Sequence, residues 1–319
     1  MRVLVTGATG MVGSFLLLRL LELNVCVRAV MRQQFFDFPL GIESVIIADI
    51  SQETDWTLAL AGIDVVIHAA AQVHVLDDSK KEQLSQFRSV NASGTLNLAR
   101  QAACASVGRF IFISSIKVNG EETAPGCPFT EEDEPAPQGA YAISKYEAEN
   151  GLRNLAEETD MDVVILRSPL VYGCGVKANF QKLLEVVDKK IPLPLGGIQN
   201  RRSLVAVDNL VDLITTCLVH SAASNQTFFV SDGDDLSTTD LLKRIGLAFG
   251  KPAFLLPVPQ VLVELGLKML GRGDVAMRLC SSLQVDIRKA EQLLSWLPPI
   301  SVGDALLKTT KAYLEKVSK

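Results

Sequence analysis

The stretch RVLVTGATGMVG, residues 2–13, is the part of the sequence that most strongly indicates the fold. It runs from a short apolar segment through Gly7, Gly10 and Gly13 into the helical pattern of residues 11–23. Glycines allow a tight turn and a close approach of the backbone to a ligand, and the free N–H groups at a helix start bind phosphates. The stretch therefore predicts a strand, a pyrophosphate-binding turn and a helix. A tight turn without a ligand is the alternative.

Apolar runs alternate with helical patterns through the first half of the chain. Uninterrupted apolar strands with helices between them are typical of a parallel sheet that is covered on both faces, and ligands bind at the carboxyl ends of such strands. We therefore predict an α/β fold with a doubly wound parallel sheet, a Rossmann fold. The predicted strands are 2–7, 25–32, 43–50, 64–71, 109–115 and 162–173, and the later predicted helices are 54–61, 82–105 and 140–158.

The pattern changes after residue 173, where helices predominate and a single strand is predicted near 226–232. We predict that residues 1–173, together with roughly 203–232, form the dinucleotide-binding domain. Residues 174–319 are predicted to form mainly a smaller, interleaved substrate-binding cap. The apolar segment 254–270 contains charged residues, which favours a core or interface helix, with contact to a membrane surface as the alternative.

Charge and composition exclude several classes of function. The chain of 319 residues has a net charge of −5, so it offers no basic field for nucleic acid. The six cysteines form no C-x-x-C pair and only three histidines occur, which predicts reduced thiols and no metal site. The N-terminus lacks a signal-peptide pattern and no uncharged run is long enough to span a bilayer, so we expect a cytoplasmic protein without an integral membrane segment.

A second stretch, YAISKYEAE at 141–149, places Tyr141 and Lys145 one helical turn apart. A phenol has a pKa near 10 and is a poor base at neutral pH. A neighbouring ammonium favours the phenolate and lowers that pKa, so the pair predicts a proton donor or acceptor. The same spacing also occurs in helices without any catalytic role.

Taken together, these motifs resemble the extended branch of the short-chain dehydrogenase/reductase superfamily, which includes nucleotide-sugar epimerases, dehydratases and ketoreductases. The resemblance extends over essentially the whole chain and implies an NAD(P)-dependent enzyme with a UDP-sugar or related substrate. The motifs are TGATGMVG (6–13), ADI (48–50), HAAAQ (68–72), VNASGTLNL (90–98), FISSIKVNG (112–120), YAISK (141–145), LRSPLVYG (166–173), NRRSLVAVDNLV (200–211) and VDIRKAEQLLSW (285–296).

The resemblance implies that Ser115, Tyr141 and Lys145 are catalytic. Hydride would pass between a nicotinamide and a sugar carbon while Tyr141 moves the proton, and Ser115 would hydrogen-bond the substrate oxygen. Ser114 is the competitor for that role. Asn91 would support the site by hydrogen bonds, and its alternative is a helix asparagine that bonds locally.

Cofactor choice is predicted from the end of the second strand. Arg32 lies there, no acidic residue follows it until Asp37, and an arginine accommodates a 2′-phosphate, so NADP(H) is favoured with NAD(H) as the alternative. His68 is expected to be structural. The resemblance implies cofactor contacts at Gly7, Thr9, Gly10, Met11, Val12, Gly13, Arg32, Asp49, Ile50, Ala69, Ala70, Ala71, Asn91, Ser114, Tyr141, Lys145 and Pro169.

Substrate contacts are implied in the C-terminal half, besides Ser115. Asn179 and Phe180 are candidates for the phosphates and base of a nucleotide. Arg202 would hold the diphosphate, because a guanidinium offers a fork of N–H donors, and Arg201 is its competitor. Two arginines at a solvated surface are the alternative.

The stretch RRSLVAVDN lacks the tyrosine and histidine of the R-D-Y-I-H-V-x-D pattern of 4-epimerases. We therefore predict the reduction of a UDP-4-keto-6-deoxy-hexosamine for surface polysaccharide synthesis. The alternatives are a UDP-sugar 4-epimerase of the UDP-glucose or UDP-GlcNAc type, a non-catalytic nucleotide-sensing binder, and a steroid- or flavonoid-type reductase. Relatives pair through the helices at 82–105 and 140–158, which predicts a homodimer.

Overall fold

The computed structural model describes residues 1–33, 40–73 and 80–317. Seven parallel strands in this part form one sheet, and a short parallel pair forms a second. The seven are β1 (Arg2–Thr6), β2 (Cys26–Met31), β3 (Ile42–Ile46), β4 (Val65–His68), β5 (Arg109–Ser115), β6 (Asp162–Ser168) and β9 (Thr227–Phe229); the pair is β7 (Leu170–Tyr172) and β8 (Leu204–Ala206).

The large sheet has the strand order β3-β2-β1-β4-β5-β6-β9. The order reverses direction between β1 and β4, and ligands of doubly wound sheets bind at such a switch point. The doubly wound parallel sheet is thus confirmed.

The helices beside the large sheet and those of the C-terminal part are α1 (Met11–Glu22), α2 (Thr57–Leu60), α3 (Lys80–Phe87), α4 (Thr95–Cys104), α5 (Gly139–Glu158), α6 (Ala178–Asp188), α7 (Val207–Val219), α8 (Thr238–Ala248), α9 (Gln260–Met269), α10 (Gly273–Cys280), α11 (Arg288–Leu294) and α12 (Val302–Val317).

Hydrophobic cores lie on both faces of the large sheet. Val3 and Val5 belong to the cluster that includes α1 and α7, whereas Leu4 belongs to the opposite cluster with α4 and α5. This alternation follows from the two-residue period of a strand. A third cluster, which contains Tyr172 and Phe180, fills the C-terminal part.

The predicted single strand 162–173 is wrong, because the chain changes sheets at Pro169. β6 ends at Ser168, and β7 pairs with β8 in the second sheet. Proline has no N–H to donate to a strand ladder, so a ladder commonly ends there. The break carries the chain from the large sheet into the C-terminal part.

The predicted helix 82–105 is also interrupted. A π-helix, Arg88–Gly94, separates α3 from α4. Gly94 lies against Ile50: a Cβ at residue 94 would be 2.8 Å from Ile50 Cγ2 and 2.9 Å from its carbonyl oxygen. The irregular turn therefore coincides with a close contact to a segment that is distant in sequence.

The apolar segment 254–270 forms a helix only in α9, where Val263 is the one buried residue. Val261 is 74% exposed and Met269 is 77% exposed. Val263 joins the third core cluster, whereas most of the segment lies at the surface. Whether that surface is an interface or contacts a membrane stays a prediction. Within the described ranges, no helix is both long enough and apolar enough to cross a membrane.

Candidate active site

The turn between β1 and α1 is packed so closely that a side chain cannot fit at two of its glycines. Gly7 has φ +69°, and a Cβ there would lie 2.7 Å from the backbone nitrogen of Ala70. A Cβ on Gly13 would lie 2.1 Å from the carbonyl oxygen of Gly7. The first turn of α1 is thereby held against the ends of β1 and β4, and the small residues Ala69 and Ala71 flank that contact.

The start of α1 fits the diphosphate of a dinucleotide. Gly10 is its N-cap residue, no side chain caps the helix, and its first turn contains no acidic residue. The first N–H groups of a helix have no partner within it, and the helix dipole favours an anion there. Thr9 and Gly10 are exposed at this end, and the helix begins with Met11 and Val12. A phosphate group would therefore meet N–H donors without displacing a side chain.

The two arginines of the β2 region have different surroundings. Arg32 is exposed directly after β2, while Asp37 lies outside the described residues. Arg28 is buried, and its guanidinium donates to the carbonyl oxygen of Ala59 at 2.8 Å and to Glu43 at 2.9 Å. Arg28 therefore fixes β2 to its neighbours and is not free to bind a 2′-phosphate.

Asp49 and Ile50 follow β3. The Asp49 carboxylate accepts a hydrogen bond from the Ile50 N–H at 2.8 Å, and its carbonyl oxygen accepts one from the Thr54 hydroxyl at 2.9 Å. Asp49 thus stabilises a turn at the sheet edge and is exposed there.

Helix α5 places Lys145 beneath the carboxyl end of β5. The Lys145 side chain is buried, its Nζ donates to the carbonyl oxygen of Ile113 at 2.8 Å, and it lies 4.3 Å from the ring centroid of Phe112. Tyr141 is half-buried, with its ring edge-on to Phe87 at 5.9 Å. Its hydroxyl makes no hydrogen bond within the described part of the chain and is available to a substrate.

Burial acts in opposite directions on the two groups of this pair. It raises the pKa of Tyr141 to about 12. It lowers the pKa of Lys145 to about 7, and the charge of Glu149 opposes that change. Removal from water disfavours the charged form of both groups. In the protein without a nicotinamide, burial thus works against the predicted lowering of the phenol pKa.

The two serines that end β5 have different partners. Ser115 is half-buried, and its hydroxyl accepts the Lys117 N–H at 3.3 Å, which caps a short 3₁₀ turn. Ser114 is buried, and its hydroxyl donates to the Glu149 carboxylate at 2.6 Å. Of the two hydroxyls, the Ser115 hydroxyl is the one with capacity left for a substrate oxygen.

Asn91 is buried in the π-helix and bonds to other elements rather than locally. Its Nδ2 donates to the Gln72 carbonyl oxygen at 3.0 Å and to the Ser144 hydroxyl at 3.1 Å, and its Oδ1 accepts the Gln72 N–H at 2.8 Å. Ser144 in turn donates to the Tyr141 carbonyl oxygen at 2.8 Å. Asn91 thereby ties the loop after β4 to the helix that carries Tyr141.

His68 ends β4 and is enclosed. Its Nδ1 lies 2.7 Å from the Thr6 hydroxyl, and its Nε2 lies 2.9 Å from the Thr95 hydroxyl. Burial, with the nearby Lys145 charge, lowers the pKa of His68 to about 3. A neutral imidazole thus joins β1, β4 and α4.

Sequence reasoning missed the residue that organises this region, Glu149. It is fully buried and accepts hydrogen bonds from Ser114, Arg153 and Arg167. The available signal was the spacing of Tyr141, Lys145 and Glu149 at i, i+4 and i+8 on α5, which places three polar side chains along one face.

The substrate side is less open than the sequence predicts. Pro169 is buried between β6 and β7, and Asn179 is exposed at the start of α6. Phe180 is 1% exposed and stacks on Tyr172 with ring centroids 5.2 Å apart. This position favours a packing role for Phe180 over the predicted contact with a nucleotide base.

Arg202 is half-buried, whereas its competitor Arg201 is exposed. The Arg202 guanidinium donates to the Ser281 carbonyl oxygen at 2.9 Å, and its backbone pairs with Leu236. Burial lowers the pKa of Arg202. The guanidinium is thus fixed against the C-terminal part, and its binding of a diphosphate stays a prediction.

A doubly wound parallel sheet, a phosphate-binding glycine turn and a tyrosine–lysine pair on the adjoining helix define the class of dinucleotide-dependent short-chain dehydrogenase/reductase enzymes. Within that class, the family model "NAD dependent epimerase/dehydratase family" matches residues 3–230. The chain belongs to this family and is an enzyme of its type.

Known proteins similar to this chain include nucleotide-sugar epimerases. A UDP-glucose 4-epimerase of Vibrio cholerae is 47% identical over 98% of this chain and 95% of that protein. The structure of a UDP-glucuronic acid 4-epimerase from Bacillus cereus in complex with NAD has a TM-score of 0.80 at 22% identity and covers 100% of both chains. A UDP-glucose 4-epimerase from Thermotoga maritima, solved with UDP-glucose, has a TM-score of 0.78 at 23% identity, over 99% of this chain and 100% of that one. At these identities the two solved structures show the fold alone.

Proposed function

We propose that this protein is an NAD-dependent 4-epimerase of a UDP-sugar of the UDP-glucose type. The observation that carries the proposal is the 47% identity, over nearly the full length, to the Vibrio cholerae UDP-glucose 4-epimerase. The sequence itself favours a reductase of a UDP-4-keto-6-deoxy-hexosamine, and that main prediction gains no support from these relatives. The absent tyrosine and histidine near Arg202 are therefore weaker evidence than similarity along the whole chain.

NAD is the cofactor that the observations support, in place of the NADP(H) favoured by the sequence. The family is described as NAD dependent, and the Bacillus cereus epimerase was solved with NAD. Arg28 is committed to Glu43 and backbone carbonyls, which leaves the exposed Arg32 as the cation at the end of β2. We assign the dinucleotide to residues 1–173 with roughly 203–232, and the UDP-sugar mainly to residues 174–319.

In this proposal the side chains of the protein transfer one proton and hydrogen-bond the sugar oxygen that carries it. A bound nicotinamide supplies the acceptor for a hydride from the sugar carbon and later its donor. Tyr141 takes the proton from the sugar hydroxyl and returns it, and Ser115 hydrogen-bonds the same oxygen. A phenol is protonated near neutral pH and burial raises the pKa of Tyr141 further, so it needs nearby positive charge to act as a base. Lys145, one turn away on the same helix, supplies that charge in its protonated form.

The test is an assay of the full-length protein with UDP-glucose and NAD. We expect UDP-galactose to form until both sugars are at equilibrium, from either direction, with no net change in NADH absorbance. A parallel reaction contains NADPH and a UDP-4-keto-6-deoxy-hexosamine. Consumption of NADPH there, with no interconversion of UDP-glucose or UDP-GlcNAc, would reject the epimerase in favour of the reductase.

A further inference from the structure

A buried network of polar and charged side chains lies behind the candidate proton-transfer pair. Its centre is Glu149, whose side chain is 0% exposed. Glu149 accepts the Ser114 hydroxyl at 2.6 Å and two N–H groups of Arg167, from Nη2 at 2.6 Å and from Nε at 3.0 Å. Arg167 is 2% exposed and donates from Nη1 to Asn119 Oδ1 at 2.8 Å. Charged groups this deep in a protein are retained only with close partners.

The network joins three elements that carry candidate site residues. Ser114 directly precedes Ser115 on β5, and Arg167 is the penultimate residue of β6. Glu149 follows Lys145 by one turn on α5. One carboxylate therefore holds the ends of two strands and the catalytic helix in a fixed arrangement.

Glu149 also contributes a negative charge near the Lys145 ammonium. Glu149 from α5 and His68 from β4 interact electrostatically with this ammonium, and Tyr141 stands one turn before it on α5. Glu149 is in turn paired with Arg167 of β6 and Arg153 of α5. The low pKa of His68 keeps it neutral, and the high pKa of Tyr141 keeps the phenol neutral. Glu149 is thus the anion of this set, and its charge works against the lowering of the Lys145 pKa by burial.

We propose that Glu149 is a positioning residue for the proton-transfer pair: its carboxylate fixes the carboxyl ends of β5 and β6 to α5 and supplies negative charge that favours the ammonium form of Lys145. The inference rests on the proposed function for the role of Lys145, and it adds a residue that the reaction itself does not use.

The test compares three variants by NMR of the full-length protein with labelled lysine side chains. Glu149→Gln keeps the shape and removes the charge. Arg153→Gln removes a cation that is 39% exposed and donates to Glu149 at 2.8 Å, so it leaves Glu149 less neutralised. Glu157→Gln, at an exposed carboxylate on the same helix, is the control. Lys145→Met identifies the signal of Lys145 by its loss.

The two charge changes near Lys145 move its titration in opposite directions. We expect the midpoint to fall by about one pH unit in Glu149→Gln, to rise in Arg153→Gln and to stay unchanged in Glu157→Gln. Turnover of UDP-glucose by Glu149→Gln should be roughly fivefold lower at pH 7, and the deficit should shrink at lower pH, where Lys145 regains its proton. Removal of a purely structural residue would not shift these two midpoints in opposite directions.

An unchanged midpoint in folded Glu149→Gln overturns the proposal, and so does an equal shift in Glu157→Gln. If Glu149→Gln does not fold, the Arg153→Gln midpoint decides, and a midpoint that fails to rise rejects the proposal. If the midpoints move as expected while the wild-type protein epimerises no UDP-sugar, the proposed function fails and the influence of Glu149 on Lys145 stands.

Discussion

Tyr141 shows how its environment sets what a side chain can do. Its ring is held by Phe87, and its hydroxyl is left without a partner among the described residues, so the phenol is oriented by packing alone. Lys145, by contrast, is fixed by a hydrogen bond to Ile113 and by the Phe112 ring. The candidate proton-transfer group, Tyr141, is therefore the adaptable member of the pair, and Lys145 is the rigid one.

Replacement of Tyr141 by phenylalanine tests this assignment directly. The change deletes one oxygen and keeps the ring contact, so folding and NAD binding should match the wild type. Epimerisation should fall by roughly 10²–10⁴-fold, which is the usual contribution of a general acid–base. Tyr146→Phe, on the same helix, is the matched control and should keep its activity. Initial rates with UDP-glucose and calorimetric NAD binding provide the two measurements, and a Tyr141→Phe rate within about tenfold of wild type would remove Tyr141 from the mechanism.

The π-helix is the element that links the loop after β4 to α5. A π-turn widens the helix by one residue, and such turns occur often at functional sites. Here it brings Asn91 to Gln72 on one side and to Ser144 on the other, while Gly94 admits Ile50. The π-helix thus contacts the loop after β4, helix α5 and the segment after β3 at the same time.

Asn91→Ala should therefore weaken both the fold and the reaction. Three hydrogen bonds are lost and the half-buried Gln72 backbone groups lose their partner, which should lower the free energy of unfolding by about 1–3 kcal/mol. Turnover should fall because the helix that carries Tyr141 loses a support. Asn150→Ala, at an exposed position of α5, is the control and should change stability by less than about 0.5 kcal/mol. Urea denaturation checks both values, and equal stability of the two variants would contradict this role of Asn91.

Local patterns predicted some elements well and others poorly, for identifiable reasons. Helix α5, Gly139–Glu158, differs from its predicted bounds by one residue, because the preceding loop, rich in Glu, Pro and Gly, marks where the helix begins. The break at Pro169 had a local signal that the apolar run obscured. The π-helix had no such signal, because its shape accompanies the contact between Gly94 and Ile50, which are distant in sequence.

Across the whole molecule, the sequence specified the fold and the candidate proton-transfer pair, but not the charge environment of the site. The doubly wound sheet follows from apolar periodicity along each strand. The pKa values of Tyr141 and Lys145 depend instead on burial, and that of Lys145 also on the charge of Glu149. The sequence does not show how deeply these groups are buried. The preference for NADP(H) rested on Arg32 alone and gains no support from the relatives, because a single arginine in the sequence does not reveal how a 2′-phosphate would be accommodated.

The buried His68 predicts how the stability of the whole protein depends on pH. Its pKa is about 3 in the folded protein, against a usual value near 6.5 in an unfolded chain. Between these values the unfolded chain binds more protons, so the free energy of unfolding falls as the pH is lowered, by up to about 1.4 kcal/mol per pH unit. From pH 7 to pH 5, His68 alone should remove about 2 kcal/mol, and urea denaturation at both values measures the loss. His68→Gln should be less stable at pH 7, because the bonds to Thr6 and Thr95 change, but should lose less between pH 7 and pH 5. If His68→Gln loses as much stability between pH 7 and pH 5 as the wild type and the control His220→Gln, then His68 does not govern this dependence.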